Sequence, residues 1–157
     1  MLKRYLKNEK GLTLIELLVV IVILGIIAAI AIPAIGSLID NSKKDAHIAN
    51  AEQMASAARM AIAQDGEGTK TFTMDTLISK GYLEGAPESP GNSGAYKADE
   101  SKVVVTFPAD TSTSKKSAVY TITLVGATGT YVSGVDVTAM TRDDVKLKGT
   151  ITNQGSN

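Results

Sequence analysis

The sequence predicts an α+β fold, a long N-terminal hydrophobic helix whose C-terminal half packs on an antiparallel sheet of about four strands. Three observations predict it. Among residues 17–35, 17 of 19 are aliphatic, and no charge occurs between Glu16 and Asp40. From Ser37 to Gln64 there is neither Pro nor Gly, and Ala is abundant, so the helix continues well past the apolar run. Short apolar segments joined by brief polar or Gly-containing links fill the C-terminal half.

Composition narrows the function before any element is placed. The chain of 157 residues accommodates one ordinary domain plus an appendage. With 44% hydrophobic and 20% charged residues it can build a packed core, which excludes wholesale disorder. Sixteen basic residues cancel 16 acidic ones, so no global basic field points to nucleic acid, which is disfavoured as a partner of the isolated chain. The absence of Cys removes disulfides, thiolate zinc sites and Cys nucleophiles together. A lone histidine, His47, argues against His-based metal clusters and Ser/His/Asp triads. Neither an enzyme nor a cofactor is expected.

At the N-terminus, Lys3, Arg4, Lys7 and Lys10 stand against Glu9, a net charge of +3 over residues 1–11. That flank favours a cytoplasmic N-terminus, although Lys43 and Lys44 beyond the apolar run weaken the asymmetry. The charge-free stretch between Glu16 and Asp40 is 23 residues long. As a helix it covers about 34 Å, enough to cross a hydrocarbon core of about 30 Å. A secretory signal cut after Ala29-Ile30-Ala31 and a plain uncleaved anchor both account for the apolar length. Neither accounts for Glu16, a carboxylate at the entrance of a run where an acidic group is costly in lipid.

The segment Lys10-Gly11-Leu12-Thr13-Leu14-Ile15-Glu16-Leu17-Leu18-Val19-Val20-Ile21, behind a short basic leader and continuing to Pro33, resembles the N-terminus of type IV pilins and of type II secretion pseudopilins. The resemblance covers about a third of the chain. It implies that a prepilin peptidase in the membrane cuts between Gly11 and Leu12 and methylates Leu12, where the family more often has Phe. Residues 1–11 would then be a cytoplasmic leader that is removed, and 12–38 a transmembrane and polymerisation helix. Residues 39–157 would form an extracytoplasmic head that includes the C-terminal half of the long helix, the whole shaped like a ladle.

The resemblance also gives Glu16 a use: in a homopolymer its carboxylate neutralises the new ammonium of Leu12 on the next subunit. The same-chain alternative is that Glu16 satisfies its own N-terminus or the helix dipole. Pro33 removes a helical donor and crowds the preceding turn, and Gly25 lowers helix propensity, so the stretch between them is the weakest part of the helix. It reads either as a static kink or, as the resemblance implies, as a segment that unwinds when a subunit leaves lipid for a fibre. The implied partners are copies of the chain, the peptidase, a pilus or secretion assembly platform, and the plasma (inner) membrane before assembly. The implied product is a cell-surface filament, a fimbrium serving adhesion, twitching motility or DNA uptake, with this chain its major pilin. A major pseudopilin driving protein secretion is the second reading, and a single-pass membrane protein with a ligand-binding or catalytic head the third.

Beyond the membrane run, Ile48, Ala51, Met54, Ala55, Ala58 and Ile62 recur at spacings of three and four and predict one core-facing stripe. Asp65-Gly66-Glu67-Gly68 predicts the helix end. His47 reads as a solvated surface residue, and Lys43 and Lys44 as an interfacial flank. Thr73 as N-cap, Asp75 in the first turn and Gly81 as a stop predict a short helix over residues 73–80. The loop over residues 85–96 is similar to the helix-to-sheet connection of major pseudopilins and several Cys-free pilins. Strands are predicted at residues 102–107, 118–125, 130–137 and 145–152, the last held without a disulfide by Val145, Leu147 and Ile151. Asp136, Asp143 and Asp144 lie where some secretion pseudopilins hold calcium, but they lack the Asp-x-Asp-x-Asp-Gly spacing and read as a solvated turn.

Overall fold

Helix α1 (Leu14–Asp65) runs for 52 residues without interruption in the computed structural model, which describes residues 13–66, 68–91, 93–107 and 117–147. By internal contacts the chain divides into two units, one ending at Ile39 and the other beginning at Asp40. Within the second unit α1 buries His47, Ala51, Met54, Ala55, Ala57, Ala58 and Ala61, while Ile48 and Ile62 are partly buried against the same core. The predicted stripe is present, widened by Ala57 and Ala61. Alanine here does two things: it favours the helix, and its small side chain lets a sheet approach the helix backbone. The helix stops where expected. Gly66 adopts a φ of 79°, and its N–H donates to the Ile62 carbonyl at 3.0 Å, closing the last turn.

Four strands, β1 (Lys70–Thr73), β2 (Lys102–Thr106), β3 (Val119–Gly126) and β4 (Gly129–Asp136), form an antiparallel meander in sequence order. Register places Phe72 opposite Val103, Val103 opposite Ile122, Val105 opposite Tyr120 and Leu124 opposite Val132. All of these side chains are buried together with the α1 alanines, so one face of the sheet and one stripe of the helix share a single core. Between β1 and β2 comes α2 (Met74–Ser79), begun as predicted by Thr73, whose hydroxyl accepts from the Thr76 N–H at 3.1 Å.

The composition of the sheet corrects one expectation. Among the described residues its fourth strand is β1, and residues 145–147, the described part of the predicted strand 145–152, are not in a strand. Over β1 the residues Lys-Thr-Phe-Thr carry a single large apolar side chain, too little alternation to stand out before the α2 cap. Residues 142–144 instead make a 3₁₀ turn, after which Val145 is buried, Leu147 is partly buried, and the Lys146 N–H donates to the Tyr131 carbonyl of β4 at 2.9 Å. Ile151 and the rest of that segment lie outside the described residues.

His47 is the second correction. It has no solvent exposure at all. Its ring stacks at 4.3 Å and 32° against Tyr131 of β4, and its Nδ1 lies 2.6 Å from the Tyr96 hydroxyl. Tyr131 reaches this position by lying over Gly126, where a Cβ would fall 2.4 Å from the ring. The polar character of imidazole favours solvent, yet His47 lies four residues before Ala51 and so continues the buried stripe by one turn.

Val145 anchors the end of the described chain, and Val145→Ala should lower the unfolding free energy of the second unit by about 2 kcal/mol. Denaturant unfolding of the full chain in detergent, followed by tyrosine fluorescence, measures this; an unchanged midpoint would remove Val145 from the core.

Candidate functional site

Of the residues singled out by sequence, Glu16 lies in the first turn of α1 and Gly25 and Pro33 lie further along it. Thr13 immediately precedes the helix, and its carbonyl accepts from the Leu17 N–H at 3.2 Å. Its own N–H and hydroxyl donate to the same oxygen of Glu16, Oε2, at 2.8 and 2.7 Å. The Glu16 N–H in turn donates to the Thr13 hydroxyl oxygen at 3.3 Å. This is a capping box: the sequence Thr-x-x-Glu satisfies two amides that a helix start otherwise leaves without partners. Glu16 is thus engaged within its own chain, in the first turn, through a partner that its charge alone does not reveal. The Thr-x-x-Glu spacing ahead of an apolar run is the signal that does. Three bonds are thereby assigned, two of them on Oε2, and among the described residues none is made by Oε1.

Every large apolar side chain from Leu14 to Ile39 is exposed, with Leu14 at 84% and Ile32 at 70%. The helix is long and apolar enough to cross a membrane. A surface of this kind is not a soluble face. It is either solvated by lipid or covered by other chains. Gly25 and Pro33 lie within this stretch, and α1 remains helical through both. Pro33 has no N–H to offer the Ala29 carbonyl, while its own carbonyl accepts a long bond from the Ser37 hydroxyl at 3.4 Å. A Cβ added at Gly25 would meet open space, so packing within the chain does not require glycine there. Gly11 and Leu12 lie outside the described residues.

The C-terminal acidic residues do not converge. The Asp136 carboxylate accepts from the Thr138 N–H and hydroxyl, both at 2.9 Å, and the Asp144 carboxylate accepts from the Thr141 N–H at 2.8 Å and its hydroxyl at 2.9 Å. Asp143 and Asp144, but not Asp136, line a shallow cleft with Thr130, Ser133 and Lys146. Among the described residues no three His, Asp or Glu side chains are placed to hold one metal ion.

Two polar contacts invisible in the sequence fasten the 3₁₀ turn and α2 to α1. Arg142 makes a bidentate pair with Asp45, Nε to Oδ1 at 2.6 Å and Nη2 to Oδ2 at 2.7 Å, and this guanidinium holds the Asp45 carboxyl below its usual range. Lys80 pairs with Asp65 at 2.9 Å, and that hydrogen bond likewise lowers the aspartate. Each joins residues distant in sequence, so no local periodicity announces them.

The sequence is similar to those of known proteins. The family signature described as "Prokaryotic N-terminal methylation motif" matches residues 6–32. The chain is 36% identical over 91 residues to the "Type IV major fimbrial protein FimA" of Dichelobacter nodosus, a match spanning 58% of this chain and 55% of that relative. It is 30% identical over 123 residues to a "Fimbrial protein" of Pseudomonas aeruginosa, spanning 74% of this chain and 80% of the relative. A further FimA of Dichelobacter nodosus is 30% identical over 111 residues, with 71% of its length covered. No solved structure matches the chain.

Thr13→Ala deletes the hydroxyl on both sides of the capping box. Exchange of the Glu16 amide in detergent micelles should quicken about fivefold, the equivalent of about 1 kcal/mol for a lost N-cap, whereas Thr13→Ser should keep the native rate.

Proposed function

The chain belongs to the type IV pilin family, and we propose that it is the major structural subunit of a surface filament, inserted in the inner membrane as a precursor with its N-terminus cytoplasmic. In this reading prepilin peptidase cleaves between Gly11 and Leu12 and methylates Leu12, and an assembly platform transfers the subunit from lipid into the fibre. The observation that carries the proposal is the wholly exposed apolar face from Leu14 to Ile39 with one anion, Glu16, at its entrance.

The mechanism follows from what each environment offers that face. Lipid and a bundle of like helices both remove it from water, so transfer between them changes packing partners rather than hydration. Direction and register must then come from something other than hydrophobicity. Glu16 supplies them: after cleavage the Leu12 ammonium of one subunit meets the Glu16 carboxylate of the next. Oε2 stays within the capping box and Oε1 takes the ammonium. An unpaired charge in an apolar bundle is heavily penalised, so a subunit seated out of register is rejected. Gly25 and Pro33 mark where α1 can unwind to adjust its length to its neighbours.

The names of the relatives, fimbrial proteins, favour a pilus over a secretion piston. Adhesion, twitching motility and DNA uptake are roles that an assembled filament of this kind serves. The subunit has a structural role in each.

Mass spectrometry of the mature chain should find N-methyl-Leu12 as its first residue; a start at Met1, or after Ala31, would overturn the processing step. Glu16→Ala should leave membrane insertion intact and reduce the yield of filaments by about tenfold or more. A normal yield of sheared filaments from that variant rejects charge pairing as the source of register.

A further inference from the structure

One buried ionisable group has no part in the filament chemistry above, the chain's single histidine. We propose that protonation of His47 acts as an acid-sensitive latch, releasing Tyr96 from α1 and loosening the backbone around Tyr96 while the sheet stays folded.

The geometry sets out the latch. Tyr96 is buried, and its hydroxyl oxygen receives the Asn50 side-chain amide at 3.3 Å while lying 2.6 Å from His47 Nδ1. In the tautomer that takes the phenolic proton at Nδ1, neutral His47 carries its own proton on Nε2. Nε2 is itself buried without a partner among the described residues. A second proton therefore makes Nδ1 a donor aimed at an oxygen that already accepts one bond, and it strips the Tyr96 O–H of its acceptor. The resulting cation has an unpartnered Nε2–H in an apolar setting, which the protein relieves by moving Tyr96 outward.

Among the described residues no neighbouring charge opposes this. Tyr96 from the segment before β2 and Tyr131 from β4 are the titratable groups in ring contact with His47. On α1, Lys43 and Lys44 lie one turn before it and disfavour a further positive charge. Asp45 is committed to Arg142, Asp40 lies 4.0 Å from Lys43, and Glu88 reaches the cluster through its backbone carbonyl, which accepts from Asn50 at 3.5 Å. Across the Tyr131 ring, Asp144 is committed to Thr141, and Asp143 lines the shallow cleft with Lys146. No ion pair among the described residues includes His47. The face of Tyr131 offsets part of the cost through a cation–π contact.

Burial holds the closed imidazole down at about 4, against an ordinary value of 6.5. Protons therefore bind the open form more tightly than the closed one. The closed state keeps its full advantage above pH 6.5 and loses it as pH falls toward 4. The opening equilibrium can shift by up to roughly 300-fold across that window.

Two amides report opening without reporting the sheet: Tyr96 N–H, which donates to the Pro87 carbonyl at 3.2 Å, and Lys97 N–H, which donates to the Val125 carbonyl at 2.8 Å. Hydrogen exchange on the full chain in detergent micelles, corrected for intrinsic rate, should show their protection falling at least about tenfold between about pH 7.5 and about pH 4, while Ile122 and Leu124 in β3 keep theirs. The NMR signal of the single histidine should titrate over the same span. In His47→Phe, which retains ring packing on Tyr131, protection of both amides should no longer depend on pH. If that variant does not fold, coincidence of the His47 titration with amide opening in the native chain supports the latch, and midpoints separated by more than about one pH unit overturn it. Equal loss of protection throughout β3, unchanged protection of Tyr96 and Lys97 while His47 titrates, or the same pH response in a folded His47→Phe chain would each overturn it.

Discussion

An apolar helical surface that its own chain leaves uncovered is the constraint from which the rest of this molecule follows. From Leu14 to Ile39 no large apolar side chain is buried. Water cannot be its resting environment, because the free energy of exposing that many aliphatic groups exceeds what a small domain's folding supplies. Lipid and neighbouring copies are the two solvents that remain. In the proposed filament Glu16 makes the surface directional, since a carboxylate at one end distinguishes arrangements that packing of similar aliphatic rods leaves nearly equal in energy. Its capping box with Thr13 keeps that carboxylate in a defined place, so that the charge we propose to pair with a neighbour also serves the helix that carries it.

The head meets a different requirement, to fold without a disulfide or a large aromatic core. It does so by close approach. The alanines of α1 let the meander sheet lie near the helix backbone, and the absence of a side chain at Gly126 admits the Tyr131 ring. The space under Tyr131 is filled by His47 rather than by an aliphatic residue, and the imidazole is kept by one hydrogen bond and one ring stack. A polar group in that position gives the core specificity through Tyr96 and Asn50, and it also leaves the core sensitive to protons.

Much of this is legible in the chain. The membrane-length run, the alanine stripe, the helix stop at Gly66, the Thr73 cap and the strands β2, β3 and β4 are encoded by local period and local capping chemistry, which the sequence displays directly. What escapes depends on contacts between distant residues. β1 is four residues with one large apolar side chain, and its strand conformation comes from pairing with β2, far along the chain. The segment from Val145 alternates well, yet the described part of it is one buried valine and one hydrogen bond to β4. Asp45 and Arg142 meet only because the fold brings them together. His47 escapes for a different reason: its place in the stripe is visible, but the chemistry of imidazole argues for water and position argues for the core, and position wins.

Within the described residues, every buried core side chain belongs to His47 or a later position. In the proposed transfer, residues 14–39 would therefore exchange lipid for protein neighbours without withdrawing any group from the core of the second unit. The features that weaken a helix are concentrated in that same segment. Pro33 leaves the Ala29 carbonyl without its amide donor, and Gly25 gives up helix propensity with no contact in the chain that demands it. In a soluble helix these would be defects. In one whose neighbours change, as we propose for this chain, they would be the points at which the backbone yields, because partners absent from the isolated chain would restore the missing bonds. In the proposed filament, local rules are broken where the surroundings change and kept where they do not.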